Sequence, residues 1–150
     1  MARWLAVLIV PLLFGCTLKV FDGVRMPPEV RAGGTFFVKH QPNDGRALDK
    51  TIRIALRSHG AHVTMSADKP HDYVVSYVDK WFWDWRTFLT DFRIDVRDRE
   101  TNILLGTARS FQDTNAAKGH TYREIVRETV AALFDGFEST RRPRNKKGRP

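Results

Sequence analysis

Residues 73–97 read YVVSYVDKWFWDWRTFLTDFRIDVR, and the pattern of this stretch decides the fold. Tyr73 to Trp83 is dense in valine and aromatic residues, the composition that a pleated, packed strand favours. Phe88 to Arg97 alternates with a period of two. Phe88, Thr90, Phe92, Ile94 and Val96 fall on one side, with Leu89, Asp91, Arg93, Asp95 and Arg97 on the other. One dry side and one wet side predict a strand of an antiparallel sheet. The Asp and Arg residues on the wet side predict cross-strand ion pairs. In the first strand Tyr73, Val75 and Tyr77 share a side with Trp81, Trp83 and Trp85, while Val74, Val78 and Phe82 take the other. Apolar on both sides, this strand is expected at the centre of the sheet.

Working outward, Asp98 to Asn102 is a polar turn, and Ile103 to Phe111 reads as the next strand. Thr121-Tyr122-Arg123-Glu124 is a capping box, in which hydroxyl and carboxylate each satisfy a free backbone N–H of a helix start. The helix behind it carries Ile125, Val126, Thr129, Val130, Leu133, Phe134 and Phe137 in one stripe, and Gly136 ends it. Upstream, Thr35 to His40 is a strand. A helix follows from about Arg46 to Ser58, capped by Asn43 or Asp44, with Leu48, Ile52, Ala55, Leu56 and His59 on one face and Gly60 as its stop. His62 to Met65 is a short strand. The order β-α-β-β-β-β-α predicts an α+β domain. Its mostly antiparallel sheet has about five strands, with both amphipathic helices on one face. Thr17 to Gly34, punctuated by Pro27-Pro28 and Gly33-Gly34, reads as a tether, with Leu18, Val20 and Phe21 available as a short edge strand.

The chain has 150 residues and a formal net charge of +8, which fits one ordinary domain with an appendage. The charge is not spread evenly. Of 25 basic residues, Arg141, Arg142, Arg144, Lys146, Lys147 and Arg149 crowd the last ten positions; without them and Arg3 the rest nearly balances its 17 acidic residues. A near-neutral domain with a basic tail argues against a nucleic-acid partner, which needs a cationic folded surface. The tail is either a solvated terminus or a salt-sensitive contact with anionic phospholipid or lipopolysaccharide.

At the other end, Trp4 to Phe14 is an uncharged apolar run behind Arg3. It is too short to span a bilayer, which takes roughly 20 residues, but it suits the core of an export signal. Leu13-Phe14-Gly15-Cys16 then resembles the lipobox of bacterial lipoproteins, with Phe14 an unusual residue in its place. The resemblance implies cleavage between Gly15 and Cys16 and alkylation of the Cys16 thiol, the one cysteine of the chain. A thiolate is the ordinary side chain nucleophilic enough for that step. Acylation, palmitate included, then gives a lasting anchor. Thr17, where Asp would retain a lipoprotein at the inner membrane, implies the outer membrane and its periplasmic face. The expected layout is a signal peptide over 1–15, a lipidated N-terminus and tether over 16–34, the α+β domain over 35–138 and a basic disordered tail over 139–150.

Asp79-Lys80-Trp81-Phe82-Trp83-Asp84, together with Phe36-Phe37-Val38, Asp44-Gly45-Arg46, Arg97-Asp98 and Ala108 to Phe111, resembles a group of small proteobacterial lipoproteins whose soluble part is a domain of unknown function. The element order is also similar to that of LptE-like periplasmic lipoproteins. This implies location and architecture and brings no activity with it.

Trp81, Trp83 and Trp85, flanked by Asp79 and Asp84, are the candidate binding surface. They are either core, or an aromatic platform of the kind that dominates interaction sites. For Asp79 and Asp84, surface ion pairs are the plain reading. No catalytic residues are assigned: there is no G-x-S-x-G, no phosphate-binding glycine loop, and Ser110 lies mid-strand. No metal site is assigned either, because His40, His59, His62, His71 and His120 show no ligand spacing. No cofactor is expected. The expected role is therefore a non-catalytic binding or envelope-assembly module held at the membrane by Cys16, with a cell-envelope hydrolase acting on cell-wall or lipid substrate as the alternative.

Overall fold

The computed structural model describes residues 20–135. The chain runs β1 (Val20–Val24), α1 (Pro28–Gly33), β2 (Thr35–Val38), α2 (Leu48–Ser58), β3 (His62–Thr64), β4 (Tyr73–Asp84), β5 (Arg86–Asp98), β6 (Leu104–Phe111), α3 (Thr114–Ala117) and α4 (Tyr122–Asp135). The strands form one sheet in the order β1-β6-β5-β4-β2-β3, so β4 is an interior strand as the sequence predicts, and β5 lies beside it. Pairing is antiparallel from β1 to β4. It is parallel where β2 meets β3 and β4, because α2 carries the chain back across the sheet between β2 and β3. The α+β class stands, and so does the mostly antiparallel sheet, with one more strand than expected and parallel pairing confined to β2.

The core is a single layer between sheet and helices. Phe36 and Val38 of β2, Val75 and Tyr77 of β4, Phe92, Ile94 and Val96 of β5 and Ala108 of β6 meet Ile52 and Leu56 of α2 and Val126, Val130 and Leu133 of α4. The capping box forms as expected: the Thr121 N–H donates to Glu124 Oε2 at 2.8 Å, and the Glu124 N–H to Thr121 Oγ1 at 3.3 Å. Gly60, at φ +83°, ends α2 in the left-handed conformation that a side chain would strain. The start of α2 differs from the expectation. Ala47 occupies the cap position, and Asp44 reaches forward to accept the Asp49 N–H at 3.2 Å and the Arg46 N–H at 3.1 Å.

The stretch read as a tether is, from residue 20 onward, part of the domain. β1 pairs along β6, and Met26 and Val30 are 1% and 3% exposed. The Met26 N–H also donates to the Leu133 carbonyl at 3.1 Å. Segments this short contribute one or two buried side chains each, too few to show a period. Residues 1–15, expected as a signal peptide, Cys16 and the tail residues Arg141 to Arg149 lie outside the described residues.

The second face of the sheet carries the expected cross-strand ion pairing at Asp91, while Asp95 pairs with an arginine of its own strand. Arg109 donates to both oxygens of Asp91, at 2.8 and 2.7 Å, with Lys80 at 3.7 Å from the same carboxylate. Arg93 lies 3.2 Å from Asp95, which also accepts from Thr107 at 2.6 Å. The Arg109 guanidinium holds the Asp91 carboxyl below the usual carboxylate range.

The two ends of the sheet differ. At one end β4 starts, the β5–β6 turn closes, and α4 finishes: the Phe134 carbonyl accepts from Arg25 Nε at 2.7 Å and Arg31 Nη1 at 2.9 Å. At the other end β6 stops, with Phe111 opposite Asp91, and β1 begins, with Val20 opposite Ser110. There the β4–β5 hairpin continues alone.

Candidate functional site

Beyond Asp91 the hairpin loses its neighbours in the sheet. β2 pairs with β4 only as far as Val75, and the β6 pairing ends with the Gln112 N–H donating to the Thr90 carbonyl at 2.8 Å. The pairs Trp81–Leu89, Phe82–Phe88, Trp83–Thr87 and Asp84–Arg86 therefore form a two-stranded arm. Isolated ribbons of this kind are marginally stable and need something to lean on. Here the support comes from the α3–α4 loop, the first residue of α4 and the loop before α2. The Trp81 ring meets Tyr122 edge-on at 5.9 Å, the guanidinium of Arg46, from the loop before α2, lies 4.2 Å over the centroid of the Trp81 ring, and Lys118 Nζ lies 2.5 Å from Asp84.

A bulge sets which side chains face inward. Register slips between Lys80 and Trp81, so that Thr90 is the extra residue on β5. The strict alternation expected from Phe88 to Val96 is broken there. Leu89, not Phe88, joins Phe92 on the core side, while Phe88 shares the opposite side with Phe82. A one-residue bulge inverts the faces of everything beyond it.

The three tryptophans separate accordingly. Trp81 is half-buried against the core and donates its indole N–H to Asp79 at 2.5 Å. Trp83 and Trp85 are 71% and 90% exposed, with Phe82 at 44%. The strand is thus not buried on both sides along its length: its first half is core and its second half is an aromatic platform. Trp85 sits in the turn at φ +55°, a left-handed conformation that bulky residues avoid. Asp79 and Asp84 do not pair with each other; one holds the Trp81 indole and the other makes the expected surface ion pair, with Lys118.

Between the arm and the α3–α4 loop lies a half-open cleft of about 590 Å³, with Trp81 and Tyr122 on its walls and Arg86, Lys118, His120 and Arg123 among its lining. Arg86 and Arg123 lie 5.6 and 5.5 Å over the rings of Phe88 and Tyr122. Glu124, the acidic member, is occupied by the Thr121 cap, whose N–H holds its carboxyl below the ordinary range. The site offers flat aromatic faces beside guanidinium groups, an arrangement that suits polar or anionic groups with an apolar side. Tyr122, Lys118 and Arg86 were not legible as site residues. Tyr122 sits inside a capping box, and the other two stand in stretches without any period.

A second cluster also escapes the sequence reading. His40, Asp44 and Asp49 bring ligand-type atoms within 4.8 Å of one another, across the loop from β2 to α2. Each carboxylate is already engaged. Asp49 pairs with Arg53 one turn on, and Asp44 accepts the Tyr77 hydroxyl at 2.7 Å. Burial raises the Asp44 pKa, but the hydrogen bonds from Tyr77 and from the N–H groups of Asp49, Arg46 and Leu48 outweigh it, and the net shift is downward. Burial and the same carboxylate push the Tyr77 hydroxyl well up, so it stays a donor. The cluster ties the start of α2 to the middle of β4. His40 lies 3.5 Å from Asp49, its side chain 57% exposed, on the surface rather than in a cleft.

Among known proteins, no family model matches the chain, and no curated protein matches it. Solved structures resemble it to different degrees. The PelC dodecamer from Paraburkholderia phytofirmans in one crystal form matches with a TM-score of 0.53 at 12% identity, over 75% of this chain and 92% of that one. A minor lipoprotein from Acinetobacter baumannii matches with a TM-score of 0.33 at 17% identity, over 66% of this chain and 86% of that one. At these identities the PelC likeness extends to the fold alone. Among the described residues, no helix is long and apolar enough to cross a membrane.

Proposed function

We propose that the protein is a lipid-anchored lipoprotein of the bacterial outer membrane, facing the periplasm, and that it works as a non-catalytic binding module through the β4–β5 arm. The observation that carries the binding role is the pair Trp83 and Trp85. Both are large, apolar and exposed, and they stand on a ribbon that leaves the sheet. Rings that stabilised the fold would be inside it. The acidic groups beside them are spent on holding the arm, Asp79 on Trp81 and Asp84 on Lys118, which supports a binding surface rather than a reactive centre. The anchor rests on the sequence: the apolar run, the lipobox-like Leu13 to Cys16 and the lone cysteine. The likeness to proteobacterial lipoproteins through Asp79 to Asp84 points the same way.

Replacing Cys16 by serine tests the anchor. Palmitate label and membrane association are both expected to disappear in Cys16→Ser, and a variant that still carried the label would refute it. For the arm, a photo-crosslinking side chain in place of Trp83 is expected to form adducts with an envelope component in intact cells. A chain that forms none there while remaining on the membrane refutes the binding role.

A further inference from the structure

We infer that the tip of the arm rests in the interface of the same bilayer that holds the lipid anchor. The inference deepens the reading of Cys16 and of the arm given above, and names what the arm meets: a membrane surface.

Chain direction is the first ground. β1 runs antiparallel to β6 from Val20, opposite Ser110, to Val24, opposite Thr107. β6 in turn runs toward the arm, ending with Phe111 opposite Asp91. The N-terminal segment therefore enters the domain at the end of the sheet from which the arm projects. Only residues 17–19 separate Cys16 from Val20. Fully extended, that connection reaches on the order of 14 Å. Residues 81–84 carry the arm past the end of β6 by about 13 Å at the usual strand rise. Covalent reach and arm length thus agree, and an acylated Cys16 keeps the bilayer within range of the arm's tip.

Chemistry is the second ground. Tryptophan is the residue enriched where a protein meets the headgroup layer, its ring apolar and its N–H polar. The tip offers Trp83, Trp85 and Phe82, all exposed. Behind them, Arg86, His120 and Arg123 line the cleft at headgroup depth, while the acidic neighbours Asp79, Asp84 and Glu124 are already bonded to Trp81, Lys118 and Thr121. Cations behind an aromatic edge complement anionic lipid. The opposite end of the domain lacks this association with the entering chain: it is where α4 finishes and the Phe134 carbonyl meets Arg25.

The test uses the mature lipidated chain in vesicles of phosphatidylethanolamine and phosphatidylglycerol with brominated acyl chains, which quench indole emission near contact. Its tryptophans are Trp81, Trp83 and Trp85, Trp4 having left with the signal. Intact mass of the same preparation reads the acylation of Cys16. With Cys16 acylated, emission is expected to fall roughly twofold or more, and the fall to be largely lost in a chain carrying Trp83→Phe and Trp85→Phe, since those rings are the ones at interfacial depth. An acylated chain without quenching, or with quenching equal in the variant, overturns the inference and leaves the anchor standing. Emission that shifts with protein concentration and ignores the bromine identifies a second copy as the occupant and overturns it too. An unmodified thiol overturns both the anchor and the inference.

Discussion

The two halves of the β4–β5 hairpin have similar composition and opposite fates. Val75 and Tyr77 of the one strand and Phe92, Ile94 and Val96 of the other lie under α2 and α4 and are excluded from water. From Phe82 to Trp85 equally large apolar side chains stand in solvent. Nothing in residue type separates them; the difference lies in what covers them. The helices end their cover near Tyr122, the neighbouring strands stop at Val75 and Asp91, and the ribbon runs on. Apolar content in a strand reports a surface that wants a partner, and only topology says whether the partner belongs to the same chain. The turn sharpens this contrast, since Trp85 keeps a left-handed backbone with a bulky side chain where asparagine or glycine would sit more easily.

If the inner half is structure and the outer half is surface, substitutions should divide along the hairpin. The largest effect is expected inside it: Phe92→Ala, fully buried, should cost about 3–5 kcal/mol in denaturant unfolding. A loss under 1 kcal/mol would mean the core assignment is wrong. On the second face, Asp91→Asn removes a carboxylate whose pKa is depressed by Arg109. Stability from such a group is present above the unfolded-state value of about 4 and is lost as pH falls through the folded-state value. The variant should therefore be weaker than the native chain near neutrality and converge with it in acid, as followed by thermal unfolding against pH. A constant gap at all pH values would point to packing instead.

Tyr77→Phe removes the hydroxyl that Asp44 accepts and should cost about 1 kcal/mol. Loss of the β2–α2 cluster's grip on β4 would appear as faster amide exchange at the start of α2. The smallest effects belong to the arm. Trp83→Ala should stay within about 0.5 kcal/mol of the native chain, as exposed positions do. Trp85→Asn should raise stability by up to about 1 kcal/mol by relieving the turn. A clear loss of stability in either variant would return the outer half to the core.

Much of the architecture was legible because it rests on long periodic segments. The stripe Ile125 to Phe134, the capping box at Thr121 and the alternation through Phe92 and Val96 all survive in the structure. What escaped was short or depended on geometry across the chain. β1 and α1 bury too few residues to show a pattern, so the segment before Thr35 read as a tether. The bulge at Thr90 follows from how the two strands meet, so Leu89 and Phe88 exchanged faces unannounced. At the site, the tryptophans and their flanking aspartates stood out from the sequence, but their exposure did not. Tyr122 and Lys118 gather around them only because α3 and α4 fold back onto the arm, where Arg86 already stands.

Crosslinking in intact cells compares the halves most directly. A photo-reactive side chain is placed either at Trp83, on the arm, or at Arg97, on the same hairpin where β6 covers its flank. The account predicts abundant adducts from position 83 and few from position 97, in protein that remains on the membrane. Equal yields from the two positions, or none from position 83, would contradict it.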